Sequence, residues 1–142
     1  GTQMPIEQYD IKLWYSTIQI NLNAPFMLTQ FLIPALLKSD DARIIFLSST
    51  VGRKARAYWG AYSVSKFGIE GFAKTLSEEL EKTQISVNTV NPGKLRTEMR
   101  RTAYPAEDSS TVPLPEDKSQ AIVHLLSSSS PKINGEQLTI PD

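Results

Sequence analysis

Two short apolar runs, separated by a helical pattern, constrain the fold of this chain more than any other feature. The runs are "RIIFLSS" at 43–49 and "ISVNTVNPG" at 85–93. Apolar runs of this length are typical of strands buried on both faces of a parallel sheet. Between them, residues 60–82 repeat apolar side chains at helical spacing. Strands that alternate with helices predict an α/β fold with a doubly wound parallel sheet.

Four further segments continue this pattern. Residues 11–38 predict a long helix, in which Pro25 and Pro34 should introduce kinks because proline lacks a backbone N–H. Residues 94–115 show no periodicity and predict a mobile loop beside the substrate. The remaining elements are a short helix at 116–127 and a strand at 136–140. Three parallel strands alone would make a poor domain, because both edges of the sheet would lie open.

The charge balance gives no sign of a nucleic-acid or membrane surface. Fifteen basic side chains match fifteen acidic ones, and no apolar run approaches the roughly 20 residues that cross a bilayer. The chain has no cysteine and one histidine, His124, so a thiolate site is impossible and no metal centre is expected. Because no signal-peptide pattern opens the chain, a cytoplasmic location is predicted.

Tyr62 and Lys66 are candidate catalytic residues, because a spacing of four places them on one face of the second helix. A nearby ammonium favours the phenolate, and lowering the pKa of a tyrosine from about 10 to about 7 requires roughly 4 kcal/mol. Such a tyrosine exchanges protons with a substrate alcohol or carbonyl at neutral pH. The spacing alone is weak evidence, since a solvated helix face would show it too.

Ser49 strengthens this interpretation because it ends the first predicted strand. The carboxyl ends of parallel strands line the ligand crevice, and a hydroxyl there can position a reacting oxygen. Pro92 and Gly93 end the next strand at the same edge, where glycine lets a flat ligand approach the backbone, and Thr97 follows within reach. Taken singly, Ser49 is better explained as a turn serine and the Pro-Gly pair as a plain strand end.

Asn21 is a further candidate, because it lies in the first helix four residues before Pro25. Since proline has no N–H, the carbonyl of Asn21 should lose its helical partner and need a water or another donor. If Lys66 lies opposite, a water between the two could carry protons. The alternative is a kink that affects only the shape of the helix.

Together these segments resemble the short-chain dehydrogenase/reductase family. The resemblance runs from "IQINLNAPFMLTQ" through "IIFLSST", "YSVSK" and "VNTVNPGKLRTEM" to "NGEQLTI". Residues 39–72 and 96–108 look most like a bacterial subgroup, the YciK-type oxidoreductases. The resemblance implies a Rossmann-type fold, with NAD or NADP as hydride carrier for a small carbonyl or alcohol substrate. It also implies a homodimer or homotetramer assembled through helices 11–38 and 60–82.

The resemblance further implies a role for each candidate residue. Tyr62 would be the general acid/base and would contact the cofactor. Lys66 would lower the pKa of Tyr62 and bind the nicotinamide ribose, and Ser49 would orient the substrate carbonyl. Asn21 would hold the proton-relay water. The residues that would border the nicotinamide are Pro92, Gly93 and Thr97.

Two features of the family are missing from this sequence, a Gly-rich turn and a later Asn-Ala-Gly turn. The resemblance therefore implies that residues 1–142 form a single partial domain, the second half of a Rossmann-type fold without the N-terminal cofactor-binding strands. Such a piece is expected to be inactive alone but part of an active intact enzyme. The competing hypothesis is a truncated, non-catalytic fragment that acts only as an oligomerisation module through its two long helices.

A basic run follows the first strand, and it comprises Arg53, Lys54 and Arg56. A phosphate or nucleic-acid site is one interpretation of these charges. A solvated loop is the better supported interpretation, because a short run of charge is usually exposed to water. Trp59, close to this run, is predicted to be a packing residue.

Overall fold

A computed structural model describes residues 3–141 and contains a three-stranded parallel sheet. Strand β1 comprises Ala42–Leu47, β2 comprises Ile85–Asn91 and β3 comprises Gln137–Thr139. The strand order is β1-β2-β3, and both pairings are parallel. The predicted α/β fold with a parallel sheet is therefore confirmed, and each predicted strand is present with slightly different ends.

The register of the strands brings their carboxyl ends together. Ala42 pairs with Ile85 at one end of the β1–β2 ladder, and Leu47 pairs with Val90 at the other. β3 joins only near the carboxyl end of β2, between residues 89 and 91. The segments that follow the three strands therefore leave the sheet at one edge, as parallel pairing requires.

Within residues 3–141, helices lie on both faces of this sheet. The α-helices are α1 (Ile11–Ile18), α2 (Ala24–Leu36), α3 (Gly60–Glu79), α4 (Glu98–Ala103) and α5 (Pro115–Leu126). α3 packs on one face. On the other face, the guanidinium of Arg43 in β1 donates to the carbonyl of Leu125 in α5 at 3.3 Å. This arrangement is the predicted doubly wound one.

The hydrophobic core lies between α3 and the sheet. Every second residue of β1 faces α3, because successive side chains of a strand point to opposite faces. The matching residues of α3 recur at three- and four-residue steps, which aligns them along one stripe of the helix. The buried members are Ala42, Phe46, Ile85 and Val87 from the strands and Ile69, Ala73, Leu76 and Leu80 from α3 and its end. This packing fixes the rotation of α3 and hence the direction of its other side chains.

The helix predicted over 11–38 is interrupted at its centre. A π-helical turn at Gln19–Asn23 joins α1 to α2, and the N–H of Ala24 donates to the carbonyl of Gln19, five residues earlier. The wider turn directly precedes Pro25, the second residue of α2, whose ring and missing N–H interrupt the regular hydrogen-bond pattern of the helix. The predicted distortion near Pro25 is thus present as a π-helical turn.

The stretch 94–115, predicted to be irregular, is partly helical. α4 begins after Thr97, whose hydroxyl oxygen accepts a hydrogen bond from the backbone N–H of Arg100 at 3.2 Å. The guanidinium of Arg101 pairs with Glu98 at 2.6 Å along the surface of this helix. A helix of six residues is too short to show an apolar period, so the prediction of an irregular segment was wrong at α4.

Arg96 ties the two ends of this stretch together. Its guanidinium donates to the carbonyls of Ser110 and Val112, both at 3.0 Å, and its backbone N–H donates to the carbonyl of Pro113 at 2.7 Å. The segment is therefore a closed loop that carries α4 beside the carboxyl edge of the sheet. The mobility of this loop stays a prediction.

Candidate active site

A cavity of about 940 Å³ opens at the carboxyl edge of the sheet. Its walls come from the segment between β1 and α3, from the segment between β2 and the end of α4, and from the residues after β3. The predicted site residues that line it are Ser49, Tyr62, Pro92, Gly93 and Thr97. The parallel register thus brings together side chains that lie far apart in the sequence.

Ser49 and Tyr62 share one wall of this cavity. Ser49 leaves β1 with an extended backbone, at φ −160° and ψ 161°, and Tyr62 lies in the first turn of α3. Hydrogen bonding from the Ser49 side chain favours the phenolate form of Tyr62. A hydroxyl and a phenol on one wall of a cavity can both reach one substrate oxygen.

Lys66 follows Tyr62 by one helical turn, and its ammonium lies 5.6 Å from the centroid of the Tyr62 ring. The ammonium donates to the backbone carbonyl of Leu47 at 2.8 Å. Gly52 allows the loop after β1 to approach α3 closely, since a Cβ on Gly52 would lie 2.8 Å from the carbonyl oxygen of Lys66. Burial lowers the pKa of Lys66, and the Glu70 carboxylate opposes this shift.

The pKa of Tyr62 moves in the opposite direction from the one expected. Burial raises it above its ordinary value, and the hydrogen bond from Ser49 offsets only part of this shift. The expectation that Lys66 lowers this pKa is therefore wrong for this structure. The physical reason is that desolvation disfavours the phenolate, while the Lys66 ammonium is bound to the carbonyl of Leu47.

Asn21 lies in the π-helical turn between α1 and α2. Its side-chain amide donates to the hydroxyl of Ser65 at 3.2 Å, and Ser65 directly precedes Lys66 in α3. Asn21 does not line the cavity in the described part of the chain. The structure therefore places Asn21 beside α3, in contact with the residue that precedes Lys66, rather than at the cavity wall.

The segment after β2 forms a second wall of the cavity. Gly93 has a φ of +76°, a conformation that favours glycine, and its N–H donates to the side chain of Asn91 at 3.1 Å. Thr97 uses its oxygen to cap α4, so its hydroxyl proton is left to donate. Within residues 3–141, the hydroxyl of Ser48 is buried and has no hydrogen-bond partner.

Two aromatic residues at the cavity were not predicted as site residues from the sequence. Trp59 is buried and lies 5.7 Å from Tyr62 between ring centroids, and Tyr104 lies 6.2 Å from Trp59. The spacing of three between Trp59 and Tyr62 could have placed them together. Tyr104 follows α4 and had no such signal, because nothing local in the sequence indicates that α4 folds back towards α3.

The sequence had suggested that Arg53 belongs to a solvated loop, and this prediction is wrong. Its guanidinium donates to Glu70 at 2.8 Å, to the hydroxyl of Thr139 at 2.8 Å and to the carbonyl of Leu138 at 2.9 Å. Thr89 donates to the other oxygen of Glu70 at 2.6 Å. This network binds the loop after β1 to α3 and to β3, and so fixes the wall that carries Ser49.

The described part of the chain contains neither a cluster of metal-ligating side chains nor a helix able to span a membrane. No cluster of three or more histidine, aspartate or glutamate side chains there is arranged to hold a metal ion. Across residues 3–141, none of the helices combines the length and the apolar character that a membrane crossing demands.

The fold and the cavity together define a class of protein. Doubly wound α/β proteins bind their ligands in the crevice at the carboxyl ends of the strands, and here a serine, a tyrosine and a lysine lie beside that crevice. A family model described as short chain dehydrogenase matches residues 1–108. The chain belongs to the short-chain dehydrogenase family, as its sequence motifs predicted.

Known relatives agree with this assignment. The Escherichia coli K12 protein described as uncharacterized oxidoreductase YciK is 45% identical over 117 residues, which cover 82% of this chain and 46% of the relative. The predicted likeness to YciK-type oxidoreductases is thus confirmed. The chain spans about half the length of the curated relatives that it matches.

Solved structures show the same fold. A short chain dehydrogenase from Salmonella enterica serovar Typhi is 41% identical, with a TM-score of 0.93 over 98% of this chain and 57% of the other. A short chain dehydrogenase from Escherichia coli CFT073, complexed with NADPH, has the same identity and a TM-score of 0.92. This match also covers 98% of this chain and 57% of the other chain. These likenesses do not favour the alternative of a non-catalytic interaction module.

Proposed function

We propose that the intact protein is an NAD(P)-dependent oxidoreductase that interconverts a small carbonyl compound and its alcohol. The observation that carries this proposal is the placement of Ser49 and Tyr62 on one cavity, with the Lys66 ammonium 5.6 Å from the tyrosine ring. A phenol and a second hydroxyl on one wall can bind the same carbonyl oxygen and transfer a proton to it.

Tyr62 and Ser49 act on the substrate oxygen in this proposal. During reduction, Tyr62 donates its phenolic proton to that oxygen, while Ser49 turns its hydroxyl from Tyr62 to the substrate and holds the oxygen in place. The nicotinamide ring supplies the hydride when it is bound. Because burial raises the pKa of Tyr62, the phenol is protonated at neutral pH and can act as an acid.

Lys66 and Asn21 act on the cofactor and on proton transfer in this proposal, and neither contacts the substrate oxygen. Lys66 binds the nicotinamide ribose with N–H donors of its ammonium that the carbonyl of Leu47 does not occupy. Asn21 holds a water that carries protons past Lys66. The hydrogen bond from Asn21 to Ser65 supports this role, because it holds the side-chain amide of Asn21 against the residue that precedes Lys66.

The cofactor is NAD or NADP, and its nicotinamide lies against Pro92, Gly93 and Thr97. The relative from Escherichia coli that is complexed with NADPH supports NADP, and the glycine conformation and the free hydroxyl proton of the second wall support the placement of the ring. The cytoplasmic location and the limits of the partial domain stay predictions.

Measuring nucleotide binding and turnover with the intact protein tests this function. We expect the protein to bind NADPH or NADH and to oxidise it only when an aldehyde or ketone is added, since proton donation from Tyr62 completes the reduction. The loss of nicotinamide absorbance reports the reaction, and a reaction without added carbonyl is the control. If a folded preparation bound neither nucleotide and reduced no carbonyl, the proposal would be refuted.

Assembly through the two long helical segments is part of the proposal, with a homodimer or homotetramer as the product. α2 exposes large apolar side chains, with Phe31 at 79% and Leu28 at 60%, and the first half of α3 exposes Val64 and Phe67 at 47% and 43%. Exposed apolar surface of this extent on adjoining helices is characteristic of protein interfaces. In the predicted homodimer or homotetramer, a second copy of the chain covers this apolar surface.

Replacing Phe67 with lysine should shift the intact protein towards the monomer in sedimentation velocity, because a buried interface cannot solvate an unpaired ammonium. Val123→Lys is the matched control, since Val123 is 60% exposed on α5, away from the proposed interface. A wild-type protein that sediments as a monomer, or a Phe67→Lys variant that assembles as well as Val123→Lys, would contradict this mode of assembly.

A further inference from the structure

We propose that the cavity selects carbonyl substrates that carry a carboxylate or phosphate group, and that Arg56 binds this anion. The inference rests on the proposed function and names the substrate class of the same site. Its basis is an excess of cationic side chains on the cavity wall. The basic lining residues are Lys54, Arg56, Lys94 and Arg100, and the acidic one is Glu107.

Among the residues 3–141 that line the cavity, Glu107 is the single carboxylate, and it is already neutralised. The guanidinium of Arg100 donates to both oxygens of Glu107, at 2.6 and 2.7 Å, and holds the pKa of that carboxyl below its ordinary value. Within residues 3–141, neither Lys54, Arg56 nor Lys94 forms an ion pair with any carboxylate. The described residues of the cavity therefore carry net positive charge, which attracts and retains an anionic ligand.

Arg56 is placed on the substrate side by an aromatic wall. Its guanidinium donates to the hydroxyl of Tyr104 at 2.8 Å and lies 5.9 Å from the centroid of that ring. Tyr104 contacts Trp59, and Trp59 contacts Tyr62. Arg56 thus stands at the far end of a row of rings that begins at the proposed proton donor. The neutral hydroxyl of Tyr104 orients the guanidinium without cancelling its charge, and leaves further N–H donors for a carboxylate or phosphate.

Two sources could supply the anion, the substrate and the phosphates of the cofactor. Lys94 directly follows Gly93 and lies on the wall assigned to the cofactor, so it suits a cofactor phosphate. Lys54 and Arg56 lie between β1 and α3, on the wall that carries Ser49. This separation assigns Arg56 to the substrate, and occupying the cofactor site first distinguishes the two sources.

The test measures binding to the intact protein by calorimetry, with saturating NADP⁺ present. The probes are benzoate and phenyl phosphate, with benzamide as the neutral control. We expect the anions to bind at least about tenfold more tightly than benzamide, since a hydrogen bond between charged groups is stronger than one to a neutral amide. Arg56→Gln should remove most of this preference and leave the affinity for NADP⁺ unchanged. Lys82→Gln, an exposed lysine at the amino edge of the sheet, should change neither.

Three outcomes would overturn the inference. The first is that benzamide and the anions bind equally well. The second is that Arg56→Gln keeps the preference for the anions over benzamide. The third is that Arg56→Gln loses affinity for NADP⁺ but keeps its affinity for the anions. Reduction of benzaldehyde and 4-carboxybenzaldehyde by NADPH is measured in parallel. If both aldehydes were reduced with equal kcat/KM, the anion preference would be wrong while the proposed oxidoreductase function stood. If neither were reduced although the anions bound, the oxidoreductase function would fail.

Discussion

Replacing Tyr62 with phenylalanine should lower the kcat of carbonyl reduction by about 10²–10⁴-fold, because general acid catalysis contributes a factor of this size. The phenyl ring fills the same space on α3 and keeps the contact with Trp59, 5.7 Å away between centroids, so the cavity should keep its shape. The KM for NADPH should change little, because the ring still borders the cofactor. Steady-state kinetics of the intact protein measures both quantities.

Tyr58→Phe is the matched control for this experiment. Tyr58 lies four residues earlier, is 58% exposed and does not line the cavity, so removal of its hydroxyl should leave kcat unchanged. If Tyr62→Phe reduced carbonyl compounds as fast as Tyr58→Phe, Tyr62 would not be the proton donor.

The pH profile should report where the Lys66 ammonium lies during turnover. With the pKa of Tyr62 raised by burial, the phenol stays protonated up to and beyond about pH 10. Carbonyl reduction, which uses the protonated form, should then be flat through neutral pH and fall only in strong alkali, whereas alcohol oxidation should rise with pH. A fall of the reduction rate near neutral pH would show that Lys66 has left the carbonyl of Leu47 and lowered the pKa of Tyr62.

Replacing Glu70 with alanine should cost about 1–3 kcal/mol of unfolding free energy, because the Arg53 guanidinium loses its carboxylate partner in a largely buried network. The side chain of Glu70 is 5% exposed and that of Arg53 is 21% exposed. The substitution also deprives Thr89 of its acceptor. Urea unfolding of the intact protein, with the midpoint and slope compared between variants, measures the loss.

Glu78→Ala supplies the control on the same helix. Glu78 pairs with Lys74 one turn away, and both side chains are largely exposed, at 66% and 61%, so solvent screens the pair. We expect no measurable change in the unfolding midpoint for this variant. If Glu70→Ala and Glu78→Ala unfolded at the same urea concentration, the network around Arg53 would not hold the loop after β1 in place.

The sequence was sufficient to predict the elements with a long repeating pattern. β1, β2 and α3 were predicted within a few residues, because their apolar side chains recur at the period of the element over its whole length. α4 was missed because six residues capped by Thr97 contain less than two helical turns. The π-helical turn at 19–23 could be anticipated only as a distortion near Pro25.

The candidate site was predicted in its location and only partly in its contacts. Parallel strands must end at one edge, so Ser49 and Gly93 could be placed together from the order of elements alone. Arg56 and Tyr104 could not be joined in this way, because their contact depends on how the loop that carries α4 folds back towards α3. Arg53 was predicted to be solvated, since its partner Glu70 lies 17 residues away on another element.

The sequence by itself determined the alternation of strands and helices, the parallel sheet and the meeting of a serine, a tyrosine and a lysine near its carboxyl edge. These follow from the spacing of side chains along the chain, which is a local property. Only the tertiary structure decided the direction of the pKa of Tyr62, the bond from Lys66 to Leu47 and the pairing of Arg53 with Glu70. Desolvation and charge pairing depend on distances through space, and those distances exist only once the helices have packed on the sheet.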